Sequence, residues 1–335
     1  LLFSYCKNKL PTIIGQELNL TMFNYRPFSR QNVYYSKSLN EYVYKWSKFL
    51  PEKNQKNLFI CISSTGHNNG LSLLISNSIL DAHYNGDTQA FPLYYYEERE
   101  KQSPSLFDAA GESEYIRRDG VSDFILGRAR KQYGKNVDKE DIFYYVYGVL
   151  HSPDYRNAFE NDLKKMLPRL PLVEDVRGFW KFSKAGRQLA ELHLNYEEVE
   201  PSKEVIVVYN PLSVSEALSQ ANKEEMEYLN YKVQKMRFPK KGQKDTIIYN
   251  NQITIENIPE KAYEYVVNGK SAIEWIMERY QVTTDKASGI TNDPNDWAAE
   301  VGNPRYILDL LLSIINVSVQ TVDIVAGLPK MEFEE

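Results

Sequence analysis

Catalytic signatures are scarce in this chain of 335 residues. Cysteine is nearly missing: Cys6 and Cys61 are far apart and make no metal-ligand spacing, so free thiols in a reducing compartment are expected. The four histidines, His67, His83, His151 and His193, form no i, i+4 pair with one another or with cysteine, which excludes a zinc helix and a deaminase pattern. No GxxxxGK[ST] loop is present to cradle phosphate. The nearest string, Asn268-Gly269-Lys270-Ser271, lacks the first glycine. No GxGxxG follows a strand, so no dinucleotide site is indicated. Asn210-Pro211-Leu212 and Asp293-Pro294-Asn295-Asp296-Trp297 carry one proline each and read as turns, not as an amino-methyltransferase motif. A metal-nuclease ExK tripeptide is absent; the nearest shape, Asp162-Leu163-Lys164, falls on a helix where i, i+2 side chains diverge. The chain shows no signal-peptide pattern and is expected to begin inside a longer polypeptide. Its most apolar stretch, Tyr306 to Ala326, holds Asp309, Asn316, Gln320 and Asp323 and predicts a buried helix, with no membrane span.

What is present is ordinary for a folded protein: 42% hydrophobic and 25% charged residues, with an excess of 25 tyrosines. The net charge of −5 argues against a polyanion partner only when taken whole. Residues 1–60 carry nine basic and three acidic side chains, and residues 261–335 carry six basic and twelve acidic. Two runs contain no acid. Val176–Ala190 holds Arg177, Lys181, Lys184 and Arg187; Tyr228–Lys244 holds Lys232, Lys235, Arg237, Lys240, Lys241 and Lys244. Either run alone suits a solvated face. Together with the basic N-terminus they point to a polyanion.

The pattern predicts an α+β fold: a strand-rich N-terminal lobe over 1–137, a helical connector over 138–200 and a smaller mixed α/β lobe over 201–335. Strands are expected at Leu18–Tyr25, Gln31–Ser36, Leu58–Ser63, Leu71–Ser76 and Phe91–Tyr95, with a long polar loop over Glu97–Asp119. Helices are expected at Tyr42–Leu50, Asp123–Tyr133, Lys139–Leu150 capped by Asp138, Ser152 to about Met166, and Glu174–His193. The last puts Phe179, Phe182, Ala185, Leu189 and Leu192 on one face. Val205–Tyr209 and Glu227–Phe238 read as strands, and Asp245–Tyr249 and Gln252–Ile255 as a hairpin turning at Asn250–Asn251. Helices at Ser271–Tyr280 and Arg305–Ala326 close the chain.

Several strings in order resemble one family. YRPFSRQNVYY (Tyr25–Tyr35) resembles its YRPFDxRxxYY element, and LISNSILDAHYNGDTQAFPLYYY (Leu74–Tyr96) is similar to the strand-turn-strand that follows. DIFYYVYGVLHSPDYRNAFENDLKKMLPRLPL (Asp141–Leu172) is similar to its helical hairpin ending in PRIPL. SAIEWIMERYQVTTDKASGITNDPNDW (Ser271–Trp297) and the final helix ending Gly327–Pro329 also fit. The set resembles the C-terminal target recognition domain of type ISP restriction–modification enzymes. Ser29 stands where that family usually carries Asp, so no ionic role is expected there. The resemblance implies a non-catalytic module that reads double-stranded DNA in the cytoplasm beside an adenine methyltransferase of the same polypeptide. S-adenosylmethionine, ATP and magnesium would serve the parent polypeptide, with no cofactor in this chain.

On that reading phosphate contacts position the duplex and base contacts specify it. The candidates for phosphate are Lys181, Lys184, Lys232, Lys235, Lys240, Lys241 and Lys244. Forked or amide donors for bases are Arg177, Arg187, Gln234, Arg237, Asn250, Asn251 and Gln252. Alternation along Glu227–Phe238 would put Tyr231, Val233, Lys235 and Arg237 on one side and Gln234 on the other. Arg26 and Arg30 sit among aromatics, where fixing the turn and touching DNA are equally open. The tyrosines of Tyr34–Tyr35, Tyr94–Tyr96 and Tyr144–Tyr147 are read as mainly structural. Two other classes remain: a protein-interaction or scaffold domain without DNA specificity, and a hydrolase built on Asp81, His83 and Ser63.

Overall fold

A computed structural model of the chain describes residues 20–35, 40, 43–52, 55–66, 69–99, 114–210 and 230–333. Cys6, His67 and Pro211-Leu212 lie outside the described residues. The fold is α+β in two compact units. The first takes the described residues up to Arg26, then Arg30–Arg187 and those from Pro329; the second takes Pro27–Ser29 and Gln188–Leu328. The stretch 138–200, expected as a connector, is divided between them after Arg187.

The first unit begins with β1 (Leu20–Arg26), β2 (Ser29–Tyr34) and a short α1 (Trp46–Phe49). β3 (Phe59–Ile62), β4 (Leu73–Ser76), β5 (Ile79–Leu80), β6 (Gln89–Pro92), β7 (Tyr94–Glu98) and β8 (Tyr115–Asp119) follow. They pair as β2-β1-β5, β4-β3-β6 and β7-β8. β3 is the unbroken apolar run Phe-Ile-Cys-Ile, every residue of it buried, as a central strand covered on both faces requires. The loop expected over Glu97–Asp119 is corrected at both ends, because Tyr94–Glu98 pairs antiparallel with Tyr115–Asp119. Polar, charged residues tolerate a two-stranded ribbon with one wet face, which is why composition alone reads as loop. Tyr96 is buried and Tyr95 exposed, the alternation a strand imposes.

Helices follow in this unit, α2 (Asp123–Tyr133), α3 (Lys139–His151), α4 (Pro153–Ala158) and α5 (Glu160–Leu163), and then α6 (Val176–Leu194), whose last residues from Gln188 on belong to the second unit. Asp138 and Asp141 form a reciprocal capping box at the start of α3. The single helix expected from Ser152 to Met166 is broken at Phe159, which leaves helical geometry and packs its ring against Tyr155 and Phe333. α3 and α6 cross at backbone contact. A Cβ on Gly148 would lie 2.3 Å from the Phe182 carbonyl oxygen, and one on Gly186 would lie 1.8 Å from that of Tyr144. Phe179 and Phe182 are fully buried beside this crossing, with Tyr145 packed on both.

The second unit holds β9 (Ile206–Tyr209), β10 (Ile247–Ile248) and β11 (Ile253–Glu256), antiparallel in the order β10-β11-β9. β12 (Val266–Val267) and β13 (Lys270–Ser271) form a hairpin. Its turn, Asn268-Gly269, has both φ values positive, 48° and 79°, the requirement of a type I′ turn. Then come α7 (Ala272–Arg279), β14 (Thr283–Thr284), β15 (Thr291–Asn292), α8 (Asn295–Glu300) and α9 (Tyr306–Ala326). α9 is long and apolar enough to cross a bilayer, yet Ile307, Leu308, Leu311, Ile314, Ile315 and Val317 are buried inside the protein. It is the core helix of its unit. Phe28, buried, sets its ring edge-on to Tyr196 and Tyr265 within this same unit.

Candidate nucleic-acid interface

Residues 230–237 form the spine of the site. The strand expected over Glu227–Phe238 is not there among the described residues: Asn230 and Tyr231 are helical, and only Arg237 makes an isolated antiparallel bridge, to Ile248. Backbone groups that a neighbouring strand would satisfy are satisfied by side chains instead. Tyr249 donates its hydroxyl to the Tyr231 carbonyl at 2.9 Å. Asn250 Nδ2 donates to the carbonyls of Asn230 (2.9 Å) and Lys232 (3.0 Å). Asn295 Oδ1 accepts the Val233 N–H at 2.9 Å while its Nδ2 donates to the Val233 carbonyl at 2.8 Å, imitating a strand partner. The Gln234 carbonyl accepts the Val282 N–H at 2.9 Å. A chain pinned almost residue by residue has little freedom left to lose on binding.

The burial pattern follows. Val233 and Met236 point inward, three residues apart, and Lys232, Gln234, Lys235 and Arg237 all point to solvent. The expected separation of Gln234 from Lys235 and Arg237 is therefore corrected; without a strand there is no alternation to enforce it. Lys232, Gln234, Lys235, Arg237, Asn250, Asn251 and Gln252 line one concavity of ≈ 200 Å³ together with Ile248. That volume is below the usual range for a drug-sized ligand and suits a phosphate or the edge of a base. Six of the seven base-reading or phosphate types meet there with side chains that carry no hydrogen bond or ion pair to another described residue: Lys232, Gln234, Lys235, Arg237 and Asn251 are exposed, and Gln252 is half-buried. Asn250 differs. Its Oδ1 accepts the N–H groups of Gln252 and Ile253, so both ends of its amide are spent on holding the β10–β11 turn and the spine together.

The other candidates lie outside this concavity. Lys240 and Lys241 are exposed in the turn after Pro239, where Gly242 has a φ of 86°. Lys244 pairs with Glu274 at 3.0 Å and lies over the Tyr263 ring. Arg177, Lys181 and Lys184 project from the wet side of α6, with Trp180 part-exposed among them. Arg187 is turned inward: it pairs with Asp141 at 2.8 Å and lies 4.3 Å from the centre of the Tyr144 ring. Arg26 pairs with Asp81 at 2.6 Å, donates to the Tyr25 carbonyl and covers the Tyr25 ring, the turn-fixing use of an arginine. Arg30 is half-buried.

Asp81, His83 and Ser63 do not assemble into a hydrolase set. Asp81 Oδ1 is taken by Arg26 and by the His83 backbone N–H, and the His83 ring pairs with Asp87 at 2.7 Å. Ser63 is buried, donating to the Gly70 carbonyl and accepting from the Ser72 N–H. Among the described residues no group of His, Cys, Asp or Glu could hold a metal ion. Burial raises the Cys61 thiol above the ordinary range, so it is not a nucleophile. Sequence reasoning misses the part played by Asn295. Its only signal is the run Asp293-Pro294-Asn295-Asp296, which reads as a turn, and there Asp293 Oδ1 also accepts the Asn295 N–H.

No curated protein matches the chain. Solved structures similar to it include three that hold DNA or a mimic of it. A nuclease-deletion mutant of the Type ISP restriction-modification enzyme LlaGI, in complex with a DNA substrate mimic, shares 41% identity over 94% of this chain, with a TM-score of 0.73. The ATP-dependent Type ISP restriction-modification enzyme LlaBIII, bound to DNA, shares 36% over 98%, with a TM-score of 0.79. The DrdV–DNA complex shares 28% over 95%, with a TM-score of 0.75. This chain spans 21%, 20% and 29% of those three proteins. A family model for the Type ISP C-terminal specificity domain matches residues 6–310, and the chain belongs to that family.

Proposed function

We propose that this chain reads a double-stranded DNA target on behalf of a single-polypeptide type ISP restriction–modification enzyme, working in the cytoplasm against an adenine methyltransferase of the same polypeptide. One observation carries the reading: forked and amide donors, Arg237, Gln234, Asn251 and Gln252, converge with Lys232 and Lys235 in one concavity on a pinned backbone. Arg matches the two acceptors of guanine, and Asn or Gln matches adenine, so a rigid array of these types discriminates bases. Lys240 and Lys241, and on α6 Lys181 and Lys184, supply mobile point charges for phosphates. Asn250, Arg187 and Lys244 are assigned to holding the fold, since their polar ends are already used. LlaGI, LlaBIII and DrdV were all captured with DNA or a mimic of it, which supports the same partner here. Cleavage, translocation and methyl transfer, with ATP, magnesium and S-adenosylmethionine, are assigned to other parts of the polypeptide.

The test is selection from a random duplex pool, followed by fluorescence anisotropy, with the polypeptide that carries this chain and its methyltransferase. A defined asymmetric sequence is expected to be enriched. A flat pool would sink the reading in favour of a protein-docking domain. Charge reversal at Lys240 and Lys241 should weaken binding to every duplex alike. The salt slope should become shallower by about 0.9 for each phosphate that is no longer neutralised.

A further inference from the structure

We infer that the β14–β15 hairpin is a second reading element, a ribbon that enters the major groove of the duplex held at the concavity, with Asn292 and its cross-strand neighbour Thr283 facing base edges. This rests on the DNA-reading function proposed above. Three observations carry it. First, the hairpin is rooted at both ends on the spine of the concavity: Val282, just before β14, donates to the Gln234 carbonyl, and Asn295, just after β15, clamps Val233. Any duplex seated on Gln234 and Arg237 therefore lies where the ribbon starts. Second, neither face of the ribbon is buried. The cross-strand pairs Thr283–Asn292 and Thr284–Thr291 present opposite faces, and every residue from Thr283 to Asn292 is exposed. A two-stranded hairpin with no covered face is marginal in water by itself.

Third, the hairpin is nevertheless built with care. Asp285 Oδ1 accepts the N–H groups of Ala287 and Ser288 and the Ser288 hydroxyl. Gly289 has a φ of 70°, and Thr284 and Thr291 share a hydroxyl hydrogen bond at 2.9 Å. The one acid of the ribbon is thereby occupied by donors, which leaves Lys286 as its outward charge. Ile290, 67% exposed, is its large apolar side chain. Small hydroxyl residues, one amide, one cation and one branched apolar group make a narrow, nearly neutral ribbon. The major groove admits a two-stranded ribbon, threonine and isoleucine suit the thymine methyl, and asparagine suits adenine. Continuity with the lysine-rich spine fixes the occupant as the same duplex.

The experiment compares four forms of the full polypeptide by selection from random duplexes and by anisotropy on the enriched site: unmodified, Asn292→Ala, Asp285–Ile290 shortened to Asn-Gly, and Arg237→Ala. Expected is loss of preference at one or two base pairs in the two hairpin variants, with about a 10-fold weaker specific affinity and unchanged non-specific affinity. The point substitution leaves the turn intact, so a folding defect confined to the shortened form does not decide the matter. An unchanged preference in Asn292→Ala and in a folded shortened form, with Arg237→Ala still relaxing specificity, overturns the ribbon and spares the concavity. If Arg237→Ala and the unmodified protein select alike while the hairpin variants lose specificity, the concavity fails and the ribbon stands.

Discussion

Among the residues of the interface, the division of labour follows from which polar atoms are already spent. Arg237 presents a guanidinium with no partner among the described residues, whereas Arg187 and Arg26 use theirs on Asp141 and Asp81. Asn250 and Asn295 are amides like Gln234, yet each holds two backbone groups of the spine. Asn295→Ala would strand the N–H and C=O of Val233, a residue with no exposed surface, at a cost of about 1–3 kcal/mol. The expected result is faster hydrogen exchange at the Val233 amide and weaker specific binding, with little change in binding to random duplex. Unchanged exchange at Val233 would show that the spine does not need the clamp.

At the scale of elements, glycine separates two situations that look alike in sequence. Gly186 lies in α6 where a Cβ would meet the Tyr144 carbonyl oxygen at 1.8 Å, so Gly186→Ala must push α3 and α6 apart. A loss of about 1–3 kcal/mol or more is expected from such overpacking. Gly127 is also inside a helix, α2, but a Cβ there meets nothing within 4 Å. Gly127→Ala should raise stability by roughly 0.5–1 kcal/mol through lower backbone entropy in the unfolded chain. Urea unfolding of the two variants should give effects of opposite sign, because Gly186 faces backbone across the α3–α6 crossing and Gly127 faces open space. Equal effects would contradict that close approach.

At the scale of the whole molecule, one buried ring contributes to the response to pH. His193 is fully enclosed, stacks on Tyr265 at 5.1 Å and meets Thr321 Oγ1 at 2.9 Å. Thr321 gives its proton to the Val317 carbonyl, so the histidine Nε2 is the donor to Thr321, and burial of the ring favours its neutral form. Burial lowers its pKa to about 3, against an ordinary 6.5 in the unfolded chain. Between those values the unfolded state binds the extra proton. Stability from this group is therefore complete above about pH 6.5 and is lost as pH falls toward about 3, with a slope of up to ~1.4 kcal/mol per pH unit. His193→Gln keeps a donor for Thr321 and cannot titrate in this window. Unfolding measured at pH 7, 6 and 5 should be less pH-dependent in that variant, and an identical dependence would remove His193 as the cause.

Local structure and family membership are legible in the order of amino acids alone. Caps such as Asp138 and Ser271, the apolar run of β3, the stripe on α6 and the turn at Asn250–Asn251 each express a rule that acts over a few residues. The ordered strings that mark the specificity domain are likewise written along the chain. Two basic runs stand out because charge is additive and needs no fold to be counted. Which members of those runs are available is a matter of tertiary folding. Asp141 takes Arg187 and Glu274 takes Lys244, partners 46 and 30 residues away. The spine at 230–237 looks like a strand in sequence, yet its satisfying groups come from Tyr249, Asn250 and Asn295 and not from a neighbouring strand. Hydrogen bonds between distant residues leave no periodic trace in sequence, and they are what gathers Gln234, Arg237 and Asn251 into one place.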